Sequence, residues 1–184
     1  MADRTARRYE IRLAGTGGQG AILAGMILAD AAIRDNRNAV QTQSYGPEAR
    51  GGASRSEIVI SAGEIDYPKV LEPDITICMS QEACDRYSTQ MRKDGLLILD
   101  SDHVSRAPTT RAVRVPLTSL AREVTGRAIT ANVVGLGLLA ELTGIVSRES
   151  LEQAVRARAP EGTEEVNRKA LAAGYRAAEE IREA

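Results

Sequence analysis

The sequence predicts an α/β fold with a mainly parallel sheet, helices on both faces, a β insertion after the second strand and a helical C-terminal third. Three observations carry this. An apolar run over residues 11–14 leads through Gly15-Thr16-Gly17-Gly18-Gln19-Gly20 into a helical pattern starting at Ala21. Strand, glycine turn and helix in that order open a Rossmann-like fold. Two continuous apolar runs of strand length follow, residues 75–79 and 96–100, and strands apolar on both faces belong inside a parallel sheet. From Leu117 onward the pattern is helical almost to the end.

In chain order, residues 1–8 are a polar lead-in and residues 9–183 form the core of a single domain. Residues 9–14 are the first strand, and residues 21–34, rich in Ala, Leu and Ile, the first helix. Asn36 and Asn38 suit the turn after it, and residues 39–43 are the second strand. Residues 44–55 contain three Gly and one Pro with no apolar period, the mark of a long shaped loop. A helix would normally come next, but residues 56–61 look like a further strand. After the run at 75–79, Ser80 is placed as an N-cap and Glu82 in the first turn of a helix reaching about Met91. Lys93-Asp94-Gly95 turns the chain into residues 96–100. Residues 111–115 are a last strand, ended by Pro116, and residues 117–125 a short helix. Residues 128–143 are apolar nearly all round, so that helix is either buried or part of a subunit interface, with Gly135 and Gly137 allowing close backbone approach. Ser147 caps residues 148–159, Pro160-Glu161-Gly162 breaks the helix, and Thr163 caps the last one. There Val166, Ala170, Ala173, Ala177 and Ile181 form a thin apolar stripe.

Composition narrows the function. Lys and Arg total 24 against 25 Asp and Glu, a net charge of −1 that argues against nucleic acid as the main partner. No apolar run reaches the ~18 residues of a membrane span, and residues 1–8 lack the apolar segment of a secretory signal. Cys78 and Cys84 cannot supply the four thiolates of an ordinary iron–sulfur cluster and read as cytoplasmic thiols. His103, behind Asp100-Ser101-Asp102, reads as a solvated loop histidine rather than a metal ligand. With five Tyr and no Phe or Trp, the core is aliphatic.

The glycine loop is the first candidate site. Its glycines let backbone N–H groups approach a ligand, and the following helix aims its free N–H groups and positive dipole end at the same place. A tight strand–helix turn that binds nothing has the same sequence. A nicotinamide site wants an acid at the end of the second strand, where Gln41-Thr42-Gln43-Ser44 stands instead. A free-standing Rossmann-type protein for another nucleotide or coenzyme A is less affected by that lack. The second candidate is the long loop, where Tyr45, Glu48, Arg50 and Arg55 are the usable side chains. Both loops leave strands at their C-terminal ends, so they are expected side by side, on the argument that the first two parallel strands are neighbours. Asp100 ends its strand at the same edge.

The glycine loop, residues 41–56, Asp66-Tyr67-Pro68, Met79-Ser80-Gln81-Glu82 and Ala131-Asn132-Val133-Val134 resemble the gamma subunit of 2-oxoacid:ferredoxin oxidoreductases, over roughly residues 9–175. The 2-oxoglutarate and branched-chain types are the nearest branches. The resemblance implies a multi-subunit enzyme that decarboxylates a 2-oxoacid on thiamine diphosphate with Mg²⁺, passes electrons through 4Fe-4S clusters to ferredoxin, and gives the acyl group to coenzyme A. Thiamine diphosphate and the clusters are implied on partners: alpha and beta subunits and a ferredoxin-like delta subunit. For this chain it implies no catalytic residue and no metal. The residues expected to border a cofactor or partner are Gly15, Gly17, Gly18, Gln19, Gly20, Ser44, Tyr45, Gly46, Glu48, Arg50, Gly51 and Gly52. Alone, the chain is expected to fold, possible as a homo-oligomer, and to be inactive.

Overall fold

The computed structural model describes residues 8–44, 52–108 and 111–183. Six strands form one sheet in the order β2-β3-β1-β4-β5-β6. They are β1 (Tyr9–Thr16), β2 (Asn38–Ser44), β3 (Ala53–Ser61), β4 (Ile75–Cys78), β5 (Leu96–Asp100) and β6 (Val113–Val115). β1, β4, β5 and β6 pair in parallel, while β3 runs antiparallel to both β1 and β2. Five strands therefore share one direction and the inserted β3 opposes them. This corrects one expectation: the first two parallel strands are not neighbours, because β3 lies between them. The connection from β2 to β3 is too short for a crossover, so β3 can only return antiparallel.

Among the described residues, six α-helices accompany the sheet: α1 (Ala21–Arg34), α2 (Gln81–Tyr87), α3 (Leu117–Thr125), α4 (Ala131–Thr143), α5 (Arg148–Arg158) and α6 (Glu164–Glu183). A 3-10 turn, Ala128–Thr130, leads into α4. The two faces of the sheet are covered unequally. Ile11, Leu13, Ile58, Ile60, Ile75, Ile77 and Ile98 point to the face that carries α1 and α3 to α6, where they join one aliphatic core. Ala14, Ala53, Cys78, Leu97 and Leu99 point to the other, where Ala83, Cys84 and Tyr87 of α2 meet them. Alternation along each strand divides them.

α4 is buried within the chain itself, from Ala131 to Ala140, under α6. The contact is backbone on backbone. A β-carbon at Gly137 would stand 2.6 Å from the Leu171 carbonyl oxygen, and one at Gly174 would stand 2.7 Å from the Leu138 nitrogen and closer still to the Val134 carbonyl. Gly135 contributes no such approach, since its nearest neighbour is a Leu117 methyl at 3.6 Å. The buried face of α6 is broader than the predicted stripe, adding Leu171, Gly174 and Tyr175, while Ile181 stays partly exposed. α2 is shorter than predicted, ending at Tyr87. The chain leaves the helix there, and the Gln90 carbonyl accepts a hydrogen bond from Arg12 Nη1 at 3.2 Å. Among the described residues no helix is long and apolar enough to cross a membrane.

Candidate functional site

The chain leaves β1, lays β2 and β3 on one side, then crosses to β4 on the other. The switch point of the sheet therefore lies between the C-terminal ends of β1 and β4, where open α/β sheets bind ligands. The glycine loop stands there. Gly18 has φ 92° and Gly20 φ 75°, left-handed values that other residues adopt at a cost. Gln19 pins the loop. Its Oε1 accepts from the Thr16 N–H at 2.8 Å, and its Nε2 donates to the Met79 carbonyl at 2.7 Å. A β-carbon at Gly15 would stand 2.6 Å from Gln19 Oε1 and displace the side chain that pins the loop. Gly20 must lack a side chain because the Asn132 amide occupies that space while donating to the Gly20 carbonyl at 3.2 Å. Gly17 and Gly18 border open space. Gly20 is also the N-cap of α1 and offers no side-chain bond to it, so the first-turn N–H groups face the loop without that partner.

The turn after β4 ties this loop to the second candidate. Met79 N donates to the Ala14 carbonyl at 2.8 Å, and Ser80 Oγ caps α2 by accepting from Ala83 N. Gln81 Oε1 accepts from the N–H groups of Ser105 and Arg106, at 3.0 and 3.1 Å. Glu82 Oε1 accepts from the Ala53 N–H at 3.1 Å, at the foot of the long loop. Register fixes the other foot: Ser44 lies opposite Arg55, which lies opposite Ala14. The glycine loop, Ser44 and Gly52 thus share one end of the sheet, with β3 between the strands that carry the loops. Tyr45, Gly46, Glu48, Arg50 and Gly51 lie outside the described residues.

Sequence reasoning missed the group beneath this edge. Arg12 and Glu57 are directly opposed on β1 and β3, and their side chains pair at 2.7 Å with Arg12 only 3% exposed. Its guanidinium lies 5.4 Å from the centre of the Tyr87 ring, with Arg55 at 5.3 Å and Arg86 at 5.6 Å from the same centre. The available signals were Arg12 inside the first strand candidate and Glu57 inside the inserted one, with Arg55 placed at the end of the long loop.

Other polar candidates are spent on the fold. Asp100 is fully buried and accepts from the Thr118 hydroxyl at 2.6 Å, anchoring the start of α3. His103 is exposed in the turn after β5. Cys78 and Cys84 are buried and free of disulfide. The Cys78 thiol donates to Cys84 and outweighs burial there, bringing the Cys84 thiol down to about 7, while the same bond holds Cys78 well above its ordinary value. Both sulfurs are sealed from solvent, so neither is placed as a nucleophile. A cavity of about 170 Å³ beside Asn132, lined by Leu23, Ile27, Val133, Val155 and Val166, is mainly apolar, and a wider one of about 570 Å³ lies at the far end of β5, by Gly95. The glycines of the loop line neither of them.

Comparison with known proteins identifies the family of the chain. The 2-oxoglutarate synthase subunit KorC of Methanocaldococcus jannaschii is 51% identical over 183 residues, 97% of this chain and 98% of that protein. A keto/oxoacid ferredoxin oxidoreductase gamma subunit from Geobacter sulfurreducens has the same fold, with a TM-score of 0.85 and 46% identity, over 95% of this chain and 98% of that one. A 2-oxoglutarate:ferredoxin oxidoreductase from Magnetococcus marinus, 21% identical, shares the fold with a TM-score of 0.83 over 95% of this chain and 31% of its own. Residues 10–177 match the family described as pyruvate ferredoxin/flavodoxin oxidoreductase, and the chain belongs to that family.

Proposed function

We propose that this chain is the gamma subunit of a cytoplasmic 2-oxoacid:ferredoxin oxidoreductase that oxidatively decarboxylates 2-oxoglutarate and passes the acyl group to coenzyme A. The observation that carries the reading is the 51% identity, over almost the whole of both chains, to a 2-oxoglutarate synthase subunit. In this reading alpha and beta subunits and a ferredoxin-like delta subunit hold thiamine diphosphate, Mg²⁺ and the 4Fe-4S clusters. The donor chemistry of this chain supports that division. Its only two cysteines are buried free thiols that share a hydrogen bond, and a cluster takes four thiolates.

The role that remains is to complete the catalytic core. Gly15, Gly17, Gly18, Gln19 and Gly20, with Ser44 and Gly52, present a backbone-rich edge to a cofactor or a neighbouring subunit. Gly17 and Gly18 border open space and leave room for a close approach. Gln19 and Glu82 hold the loops in place through Met79 and Ala53 and need not touch the ligand. The test is reconstitution with the thiamine- and cluster-bearing subunits, 2-oxoglutarate, coenzyme A and a viologen dye. Turnover is expected only when this chain is present and not from this chain alone. Full turnover by the partners without it would overturn the reading.

A further inference from the structure

The cluster beneath the switch point is unbalanced in charge. Three guanidiniums surround the Tyr87 ring, and among the described residues the carboxylate paired with them is Glu57. Arg12 takes it, placing both Nε and Nη2 on the same oxygen, Oε1, at 2.8 and 2.7 Å. Arg55 Nε reaches that oxygen only at 3.5 Å, and this buried atom has no hydrogen-bond partner. Arg86 has no carboxylate at ion-pair distance among the described residues, and its neighbour Asp85 is engaged by Arg106 and Gln81. Two positive charges are left over. Tyr87 is almost fully buried and fixes the ring. Its face attracts cations but carries no charge to cancel theirs.

We propose that Arg55 and Arg86, gathered on the Tyr87 ring, form a binding site for a phosphate dianion of the phosphomonoester class. The surplus of two charges selects phosphate over carboxylate, because a phosphomonoester carries roughly −1.5 to −2 at neutral pH. Planar guanidinium groups present paired N–H donors that match phosphate oxygens. Arg55 lies opposite Ala14, two residues along the register from the pairing of Thr16 with Ala53. The inference deepens the functional reading and rests on it in one respect: coenzyme A carries such a phosphomonoester and dephospho-coenzyme A does not.

The experiment is calorimetric titration of the full chain with inorganic phosphate, then with coenzyme A and dephospho-coenzyme A. Phosphate is expected to bind, and Arg55→Met and Arg86→Met are each expected to weaken it by about tenfold or more. Arg176→Met, at an exposed position on α6, controls for bulk charge and should leave it unchanged. Because Arg86 is exposed, its variant tests the site without endangering the core. Absence of phosphate binding, or equal binding by wild type and both variants, would overturn the site while leaving the reconstitution result untouched. In the second arm coenzyme A is expected to bind more tightly than dephospho-coenzyme A, with the difference lost in Arg86→Met. Equal binding of the two, with phosphate binding still dependent on Arg86, would uphold the site and assign its phosphate to another ligand.

Discussion

The two faces of the sheet solve different problems. On the face under α1 and α3 to α6, strands and helices meet as hydrocarbon, and α4 and α6 touch backbone to backbone through Gly137 and Gly174. On the face under α2, the same strands carry Arg12, Arg55 and Glu57, and the covering is one helix of seven residues. The first arrangement gains free energy by removing apolar surface from water. The second surrenders some of that gain to seat charges, which are costly to bury unless paired. The loops at the C-terminal edge are tied to the thinly covered side through Glu82, and the turn after β4 holds both. The difference teaches where this chain keeps its rigidity and where it exposes its chemistry.

The comparison breaks most easily at Arg12. Arg12→Met leaves the mostly buried Glu57 with only the longer contact to Arg55, at 3.5 Å, and losing the main partner of a buried pair costs up to about 3 kcal/mol. Urea denaturation of the full chain should show that loss. A cost near zero would mean that the polar face is no more than solvated surface. On the other face, Gly174→Ala forces α6 away from α4, since its β-carbon meets the Val134 carbonyl and the Leu138 nitrogen. Overpacking of a rigid core costs ~1–3 kcal/mol, and the same denaturation series measures it. A neutral result would show that the two helices are not in backbone contact.

The smallest effect is a matter of pH. Asp35, just past α1, accepts from Ser147 N and Oγ at 2.7 Å and from Ser150 Oγ at 2.6 Å, joining α1 to α5. Burial alone would raise its carboxyl, but the Ser150 and Ser147 hydroxyls, the Ser147 N–H and the Arg37 charge reverse this and hold it below its ordinary value. A lowered folded-state value means that its contribution is complete above the unfolded value, about 4, and is lost as pH falls through the folded one. Asp35→Asn should therefore cost ~1 kcal/mol at pH 7, with the gap to wild type closing below about pH 4. A gap that stayed constant from pH 7 to pH 3 would assign the effect to packing instead.

Much of this was legible in the sequence, for a physical reason. Burial on both faces writes a continuous apolar run, so β4 and β5 were plain, and the glycine loop between β1 and α1 was marked by composition. The N-caps Ser80 and Ser147 stand where predicted, each accepting from an N–H three residues on. What failed was pairing. Residues 56–61 announce a strand but not its neighbour, and an inserted hairpin strand separates β1 from β2 with no local trace. Gly174 did not enter the predicted stripe of α6, because its reason lies on another helix. Of the site, the residues were visible and their ties were not. Gln19 reads as one polar residue among glycines until Met79, sixty positions away, is placed beside it.

Hydrogen exchange on assembly tests the central claim directly, that the glycine-loop edge is where this chain meets the rest of its enzyme. Amide exchange should be compared between the isolated chain and the reconstituted complex. The account predicts new protection at residues 15–20 and at both feet of the long loop, Ser44 and 52–55, with α4 and α6 unchanged because they are already buried. Protection that appeared on the outer helices and left residues 15–20 exchanging as before would contradict it.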